Sequence, residues 1–374
     1  MFNHLHYVPI LKWKLGEYQA LARLESSVKD RVTPLIELPA VGYDFENSRV
    51  AKSLDDHLKD FGRRLKAKWA SRTCFVDTKN IASSERMADG THPLERVMQL
   101  ARTEGCTAIP VVALSCDAEY RRSAAVAVLA DGNGAAIRLQ LEDFDRQNID
   151  RDIELLLSDI GASVAGSDLI VDLCDKFLPT SVFVEAIISS LQKLPHLNRW
   201  RTFTIAGSSY PKTLQDVAFT IHKTEGTDTP VLYPDTLYPR REWAIYKTIV
   251  NTLGRKARLP AYGDYVVAHP DPVELDMRLI KPFAKLRYTT SDSWYIIKGK
   301  PVRTYGFDQY KDMCKQTTKK ERIFEKSLPS DGDRYIQGCA DGDESTGNMT
   351  TWVWVSSNRH ITRVVADLST FHGA

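Results

Sequence analysis

Hydrophobic positions along this chain alternate with polar ones in short runs, then spread to a three-to-four-residue spacing, and the two rhythms take turns. Tyr7 to Trp13 reads as a strand, and the segment from Gly16 to Leu24, with Leu21 and Leu24 on one face, as a helix. The spacing predicts further strands at Thr33 to Pro39, Thr73 to Lys79 and Ala108 to Leu114. Between them it predicts helices from about Ser53 to Trp69, from Pro93 to Ala101 and from Glu119 to Leu129.

The fifth strand, Gly134 to Phe144, is the informative one. Ile137, Leu139 and Leu141 alternate with Arg138, Gln140 and Glu142, so one face is apolar and the other charged. A strand inside a parallel α/β fold is normally apolar on both faces. The charged face therefore looks into something other than a plain core. A helix from Ile149 to Ile160 follows, then a sixth strand at Asp168 to Leu173 and a helix from Thr180 to Leu194. Arg201 to Gly207 is the seventh strand, and Pro260 to Val267 the eighth. The longer connection between them carries helical patterns at Leu214 to His222 and Arg240 to Leu253.

Eight strands alternating with helices predict an α/β fold of the (β/α)8 TIM-like barrel type, here with an appended C-terminal α+β cap. A doubly wound open sheet gives the same alternation, but its glycine-rich first turn is missing: Lys12 to Glu17 holds one glycine and no GxGxxG. The barrel is expected over residues 1–285 and the cap over 286–374. In the cap, Leu286 to Thr290 and Ser293 to Lys298 read as a hairpin, and Phe307 to Lys320 as a helix. The segments Ser330 to Asp333 and Gly338 to Gly347 read as loops, with Thr350 to Val355 leading to a final helix.

Composition narrows the function classes. The 374 residues carry 50 Lys and Arg against 48 Asp and Glu, a net of +2, so no global field points to a nucleic-acid coat or an anionic membrane. The six cysteines form no CxxC pair and keep no metal-type spacing, which fits free thiols in a reducing cytoplasm. No secretory signal opens the chain and no apolar run has the length of a membrane span, so a cytoplasmic protein without a membrane partner is expected.

Several spaced motifs carry a family resemblance. They are Tyr7 to Lys14 with Gly16 and Glu17, Ile205 to Pro211, Tyr262 to Tyr265, the hairpin from Arg287 to Gly299, and Asn358 to Ile361. Together, over about residues 5 to 368, they resemble the "beta protein" family of bacteriophages and of bacterial mobile or defence-associated loci. The resemblance implies a setting of phage-host conflict, with antiviral defence or a phage-encoded counterpart as its context. It implies no catalytic residues.

Barrel proteins draw their functional groups from the C-terminal strand ends and the loops after them. Applied to each strand, the two-residue period gathers Lys12, Lys14, Glu37, Asp77, Lys79, Arg138, Gln140, Glu142, Asp172 and Asp264 at one rim. Charges brought together there must pair, bind water or hold a ligand. A self-neutralised plug is the plain reading. The functional one has the cations receive a phosphate, through the arginine fork and the lysine point charges. Asp77, Glu142 and Asp172, as a catalytic set, have the hard oxygen chemistry that Mg²⁺ or Mn²⁺ prefers, which suits metal-dependent phosphoester hydrolysis. The expected ligand is a phosphorylated small molecule or a nucleic acid.

Other candidates are weighed beside these. Ser208 and Ser209 offer hydroxyls and backbone N–H groups to an anion, with helix capping ahead of Pro211 as the alternative. None of the nine histidines falls at a predicted strand end. His360 is expected either to close over the rim as a ligand or acid/base group, or to cap the last helix. The basic run Lys311 to Lys326, interleaved with Tyr305, Phe307, Tyr310 and Phe324, suits a nucleic-acid backbone or a solvated helix face. The competing function is a non-catalytic, inhibitory contact with a protein from the same locus, made through a tail surface that exposes Trp294, Trp352 and Trp354.

Overall fold

Eight short strands pair in parallel and close on themselves: β1 (Tyr7–Lys12), β2 (Leu35–Glu37), β3 (Cys74–Asp77), β4 (Ala108–Ala113), β5 (Ala136–Gln140), β6 (Asp168–Asp172), β7 (Thr202–Gly207) and β8 (Ala261–Asp264). Closure is made by β1, which registers Lys12 against Glu37 of β2 and Pro9 against Asp264 of β8. The open-sheet alternative is thereby ruled out. This is a computed structural model that describes residues 2–177, 181–215, 217–222, 232–254, 257–271 and 281–373.

The helices start where local chemistry dictates. Pro93–Thr103 is capped by His92, whose Nδ1 accepts the Leu94 N–H at 3.1 Å, with proline in the first turn where no donor is needed. Ala118–Asp131 is capped by Asp117 and ends at Gly132, whose φ of 64° is the left-handed conformation that suits glycine. The expected single helix from Ser53 to Trp69 is two, Leu54–Leu58 and Phe61–Trp69. Inside the barrel Val8, Ile10, Leu35, Phe75, Val111 and Ile170 interlock as an apolar layer below the charged strand ends.

The chain resolves into two compact units, one of residues 1–14, 31–208 and 244–265, the other of residues 15–30, 209–243 and 266–374. Contacts therefore do not divide it at residue 285. The first unit is the barrel. The second is α+β: an antiparallel sheet of Asp235–Pro239, Ser293–Pro301 and Phe283–Thr289, together with the helices Leu15–Ala22, Gln309–Thr318, Asp331–Asp341 and Met349–His372. The first of these helices approaches the last so closely that a Cβ on Gly16 would lie 2.6 Å from Val353 Cβ. The hairpin forms where expected, and Asp235–Pro239 adds a third strand that the hydrophobic pattern did not announce. No helix spans 214–222 among its described residues; Thr220 instead bridges to Asp235. Thr180, the expected helix start after β6, lies outside the described residues, and the helix runs Ser181–Gln192.

Three expectations for this unit are corrected. Ser330 to Asp333 is a capping box that opens a helix, because Ser330 and Asp333 satisfy each other's backbone N–H groups. Thr350 to Thr362 is one continuous helix, opened by Asn348, which accepts from Thr350 and Thr351. The tail tryptophans are core: Trp294, Trp352 and Trp354 are all buried, and Trp352 stacks on Tyr310 at 4.2 Å. Tyr310 and Phe324, needed for base stacking in the basic run, are buried with them.

Candidate functional site

At the C-terminal rim of the barrel the polar strand ends converge on Arg138. Its Nη1 lies 2.8 Å from Glu37 Oε1 and 2.7 Å from Asp77 Oδ2. Its Nε and Nη2 both reach Asp172 Oδ2, at 3.0 and 2.5 Å, and Nη2 also donates to the Tyr265 hydroxyl at 2.7 Å. Lys79 extends the set, with Nζ 2.7 Å from Glu37 Oε1. Glu37, Asp77, Arg138, Asp172 and Tyr265 are all buried, so each charge is held by its neighbours and not by water.

The electrostatics follow from that pairing. Burial pushes Glu37 and Asp172 toward protonation, but the Arg138 guanidinium and the Lys79 ammonium outweigh it and hold both carboxyls below their ordinary values. Burial opposes the charge on Arg138 as well, and its anionic and phenolic neighbours more than restore it. The Tyr265 hydroxyl is driven well above the usual phenol range, first by burial and then by Asp172 and Glu37, against the pull of Arg138. Glu37 Oε2 is buried with no hydrogen-bond partner among the described residues.

Beside this cluster, over β3 to β5, lies a cleft of about 270 Å³. Lys79, Gln140, Thr78, His92, Ser115 and Tyr120 are among the residues lining it. The Lys79 side chain is 35% exposed, so it is anchored on a buried carboxylate and still open to the cleft. His92 spends Nδ1 on the Leu94 cap, which leaves Nε2 to carry the proton. Burial, then Arg86, hold its pKa below the ordinary value against Asp117, so the ring is a neutral donor at pH 7. Tyr120 is fixed as a wall, donating to the Val111 carbonyl at 3.0 Å and accepting from Thr78 at 3.2 Å.

The residues singled out from the pattern therefore divide. Glu37, Asp77, Lys79, Arg138 and Asp172 come together as expected, with Lys12 half-buried on β1 in register with Glu37. Gln140 is exposed at the strand end and donates to Cys174 Sγ. Ser208 is buried at the end of β7, its N–H given to the Cys174 carbonyl at 2.7 Å.

The rest go elsewhere. Glu142 is exposed and paired with Lys176, because β5 ends at Gln140 and the chain turns into a 3₁₀ helix, Leu141–Asp145, stabilised by the Gln140 and Asp143 capping box. Asp264 lies on the outer face of β8, where it accepts from the hydroxyls of Tyr7 and Tyr262. Lys14 is exposed beyond the end of β1. Ser209 belongs to the other unit, where it binds Glu242 and caps the helix Arg241–Leu253 by accepting the Arg241 N–H at 3.0 Å. His360 is buried mid-helix in that unit, 3.1 Å from the Thr289 hydroxyl, and caps neither end of its helix.

Of the expected metal set, Asp77 and Asp172 are both bound to the Arg138 guanidinium, which stands between them, and Glu142 is paired with Lys176 instead of joining them. Among the described residues no three His, Cys, Asp or Glu side chains are arranged to hold a metal ion. Pattern reading missed two residues. Tyr265 is the inward residue after β8, one position on from Asp264, and the small residue at Gly263 was the signal for that parity. His92 left no strand-end trace, since a loop brings it to the cleft.

A family model described as Beta protein matches residues 7–366. Among solved structures, a mutant tryptophan synthase α-subunit from the hyperthermophile Pyrococcus furiosus is similar at 7% identity. The match covers 71% of this chain and 90% of that one, with a TM-score of 0.39. Triosephosphate isomerase from Bartonella henselae is similar at 12% identity, covering 54% and 83%, with a TM-score of 0.32. Among curated proteins none matches. No helix among the described residues is long and apolar enough to cross a membrane.

Proposed function

The chain belongs to the Beta protein family, and we propose that it recognises a small phosphorylated molecule, of about nucleotide size, in the cleft over β3 to β5. One observation carries this reading: Lys79 is fixed by the buried Glu37 at 2.7 Å and still opens to the cleft. An ammonium has three donors, and Glu37 engages Nζ through one oxygen, so donors remain for a ligand. His92 and Gln140 add neutral hydrogen-bonding groups to the same walls.

The charges do not oppose an anion. Glu37, Asp77 and Asp172 contribute three negative charges, and Lys12, Lys79 and Arg138 three positive ones, so the rim is balanced before the ligand arrives. Arg138 itself is saturated by its acidic partners and by Tyr265, so it acts as the rigid floor that orients Lys79 through Glu37. We read the role as binding, in the phage-host setting that the family resemblance implies. Hydrolysis would need an activated nucleophile, and of the three carboxylates expected to hold a metal, Glu142 lies apart from Asp77 and Asp172.

The test is calorimetric titration of the full chain with a panel of nucleoside 5′-monophosphates. Binding by at least one of them, weakened tenfold or more by Lys79→Gln, is the expected result. The reading fails if none binds, or if Lys79→Gln binds as tightly as the unaltered chain. A parallel assay for phosphate release in Mg²⁺ or Mn²⁺ is expected to stay at the buffer rate.

A further inference from the structure

In the second unit, three cations crowd one face of the sheet. Lys285 of strand Phe283–Thr289 stands directly opposite Lys298 of strand Ser293–Pro301, and Arg287 follows two residues along on the same face. Like charges placed opposite each other across a sheet repel and destabilise it. Solvated surface lysines escape this by swinging apart, but these three are partly buried.

No carboxylate relieves them among the described residues. The groups acting on Lys285 are burial, then Arg287, then Lys298, all in the same direction, and its pKa is pushed down to about 8. Lys298 finds aromatic faces instead of an acid, with Nζ 5.7 Å from the Phe219 ring centre and 5.3 Å from that of Phe283. Arg287 gives one nitrogen to the Val267 carbonyl at 3.1 Å and hydrogen-bonds the Tyr210 hydroxyl, while its Nε is buried without a hydrogen-bond partner among the described residues. Elsewhere in this unit buried cations are matched: Arg359 meets Asp333 and Glu325, and Arg240 meets Asp367.

We propose that Lys285, Arg287 and Lys298 form an anion site for a phosphate group, separate from the barrel cleft, with Phe283 as an aromatic neighbour for whatever the phosphate carries. A phosphate offers acceptors to all three cations at once and removes their mutual repulsion. Phe283 is 39% exposed, so a planar group attached to the phosphate has a ring to stack on. Free phosphate and the backbone of single-stranded nucleic acid share this chemistry, and the experiment separates them.

The full chain carrying Lys79→Gln, which disables the barrel cleft, is titrated with inorganic phosphate by calorimetry and with a short fluorescein-labelled oligothymidylate by anisotropy. Binding of at least one probe is expected, with a tenfold or greater loss on adding Lys298→Gln and recovery with Lys298→Arg. The oligonucleotide binding while phosphate does not identifies nucleic acid, and the reverse identifies free phosphate. Lys298→Gln should also raise the melting temperature in phosphate-free buffer, since it relieves repulsion. Neither probe binding, or undiminished binding to Lys298→Gln, overturns the proposal, and neither result bears on nucleotide binding at Lys79.

Discussion

Tyr265 donates its hydroxyl to Asp172 across 2.6 Å while accepting from Arg138 at 2.7 Å, so a residue 93 positions downstream locks the carboxylate that the arginine needs. The pair fixes the orientation of the guanidinium, and the guanidinium in turn holds the acids that anchor Lys79. Removing only the hydroxyl, with Tyr265→Phe, should therefore cost about 1–3 kcal/mol without unfolding the barrel. Urea unfolding of the two proteins reads this directly. An unchanged midpoint would mean that the hydroxyl is idle.

Arg138 should be far more costly to lose. Arg138→Leu leaves Glu37, Asp77 and Asp172 buried near one another with one counter-charge removed, and a loss of about 3–5 kcal/mol is expected. Arg138→Lys keeps the charge but not the fork that reaches Glu37, Asp77 and Asp172 together, so it should fall between the two. A leucine variant as stable as the parent would show that the cluster is not a coupled unit.

The same acids set an acid limit. Glu37 and Asp172 have folded pKa values held below their ordinary ones, so their contribution is fully present above about pH 4 and is lost as pH falls further. Denaturant midpoints measured downward from pH 5 should drop in the parent. The drop should be shallower in the double variant Glu37→Gln with Asp172→Asn, which starts from a lower stability.

His6 adds a separate slope at higher pH. Burial is the main reason its pKa falls to about 4, and its Nε2 lies 2.8 Å from the Thr33 hydroxyl. The unfolded chain binds that proton near pH 6.5, so stability is full above this value and declines toward pH 4, by up to about 3 kcal/mol. His6→Gln should flatten part of the decline between pH 6.5 and 4, as read from urea midpoints. An identical slope in the variant would assign the effect to other histidines.

Much of this was legible along the chain, and the failures have physical causes. All eight barrel strands show in the alternation, because each must present apolar side chains to two packed layers. The rim residues Glu37, Asp77, Arg138 and Asp172 show as charged interruptions at strand ends. Glu142 was misplaced because alternation says nothing about where a strand stops, and the Gln140 and Asp143 capping box stops this one. Asp264 was misplaced by a single register step, which turns every side chain to the opposite face. In the second unit, Trp352 and Trp354 read as exposed because a helix buried on most sides has no polar face to mark it. His360 was misplaced because a histidine buried mid-helix against a threonine hydroxyl has the same composition as one at a ligand site.

The most direct measurement is a crystal structure of the full chain grown with a nucleoside 5′-monophosphate. Phosphate density is expected in the cleft over β3 to β5, within hydrogen-bonding distance of Lys79 Nζ, with the Arg138 cluster unchanged beneath it. An empty cleft with the nucleotide bound elsewhere, or Lys79 turned away from the phosphate, would contradict it.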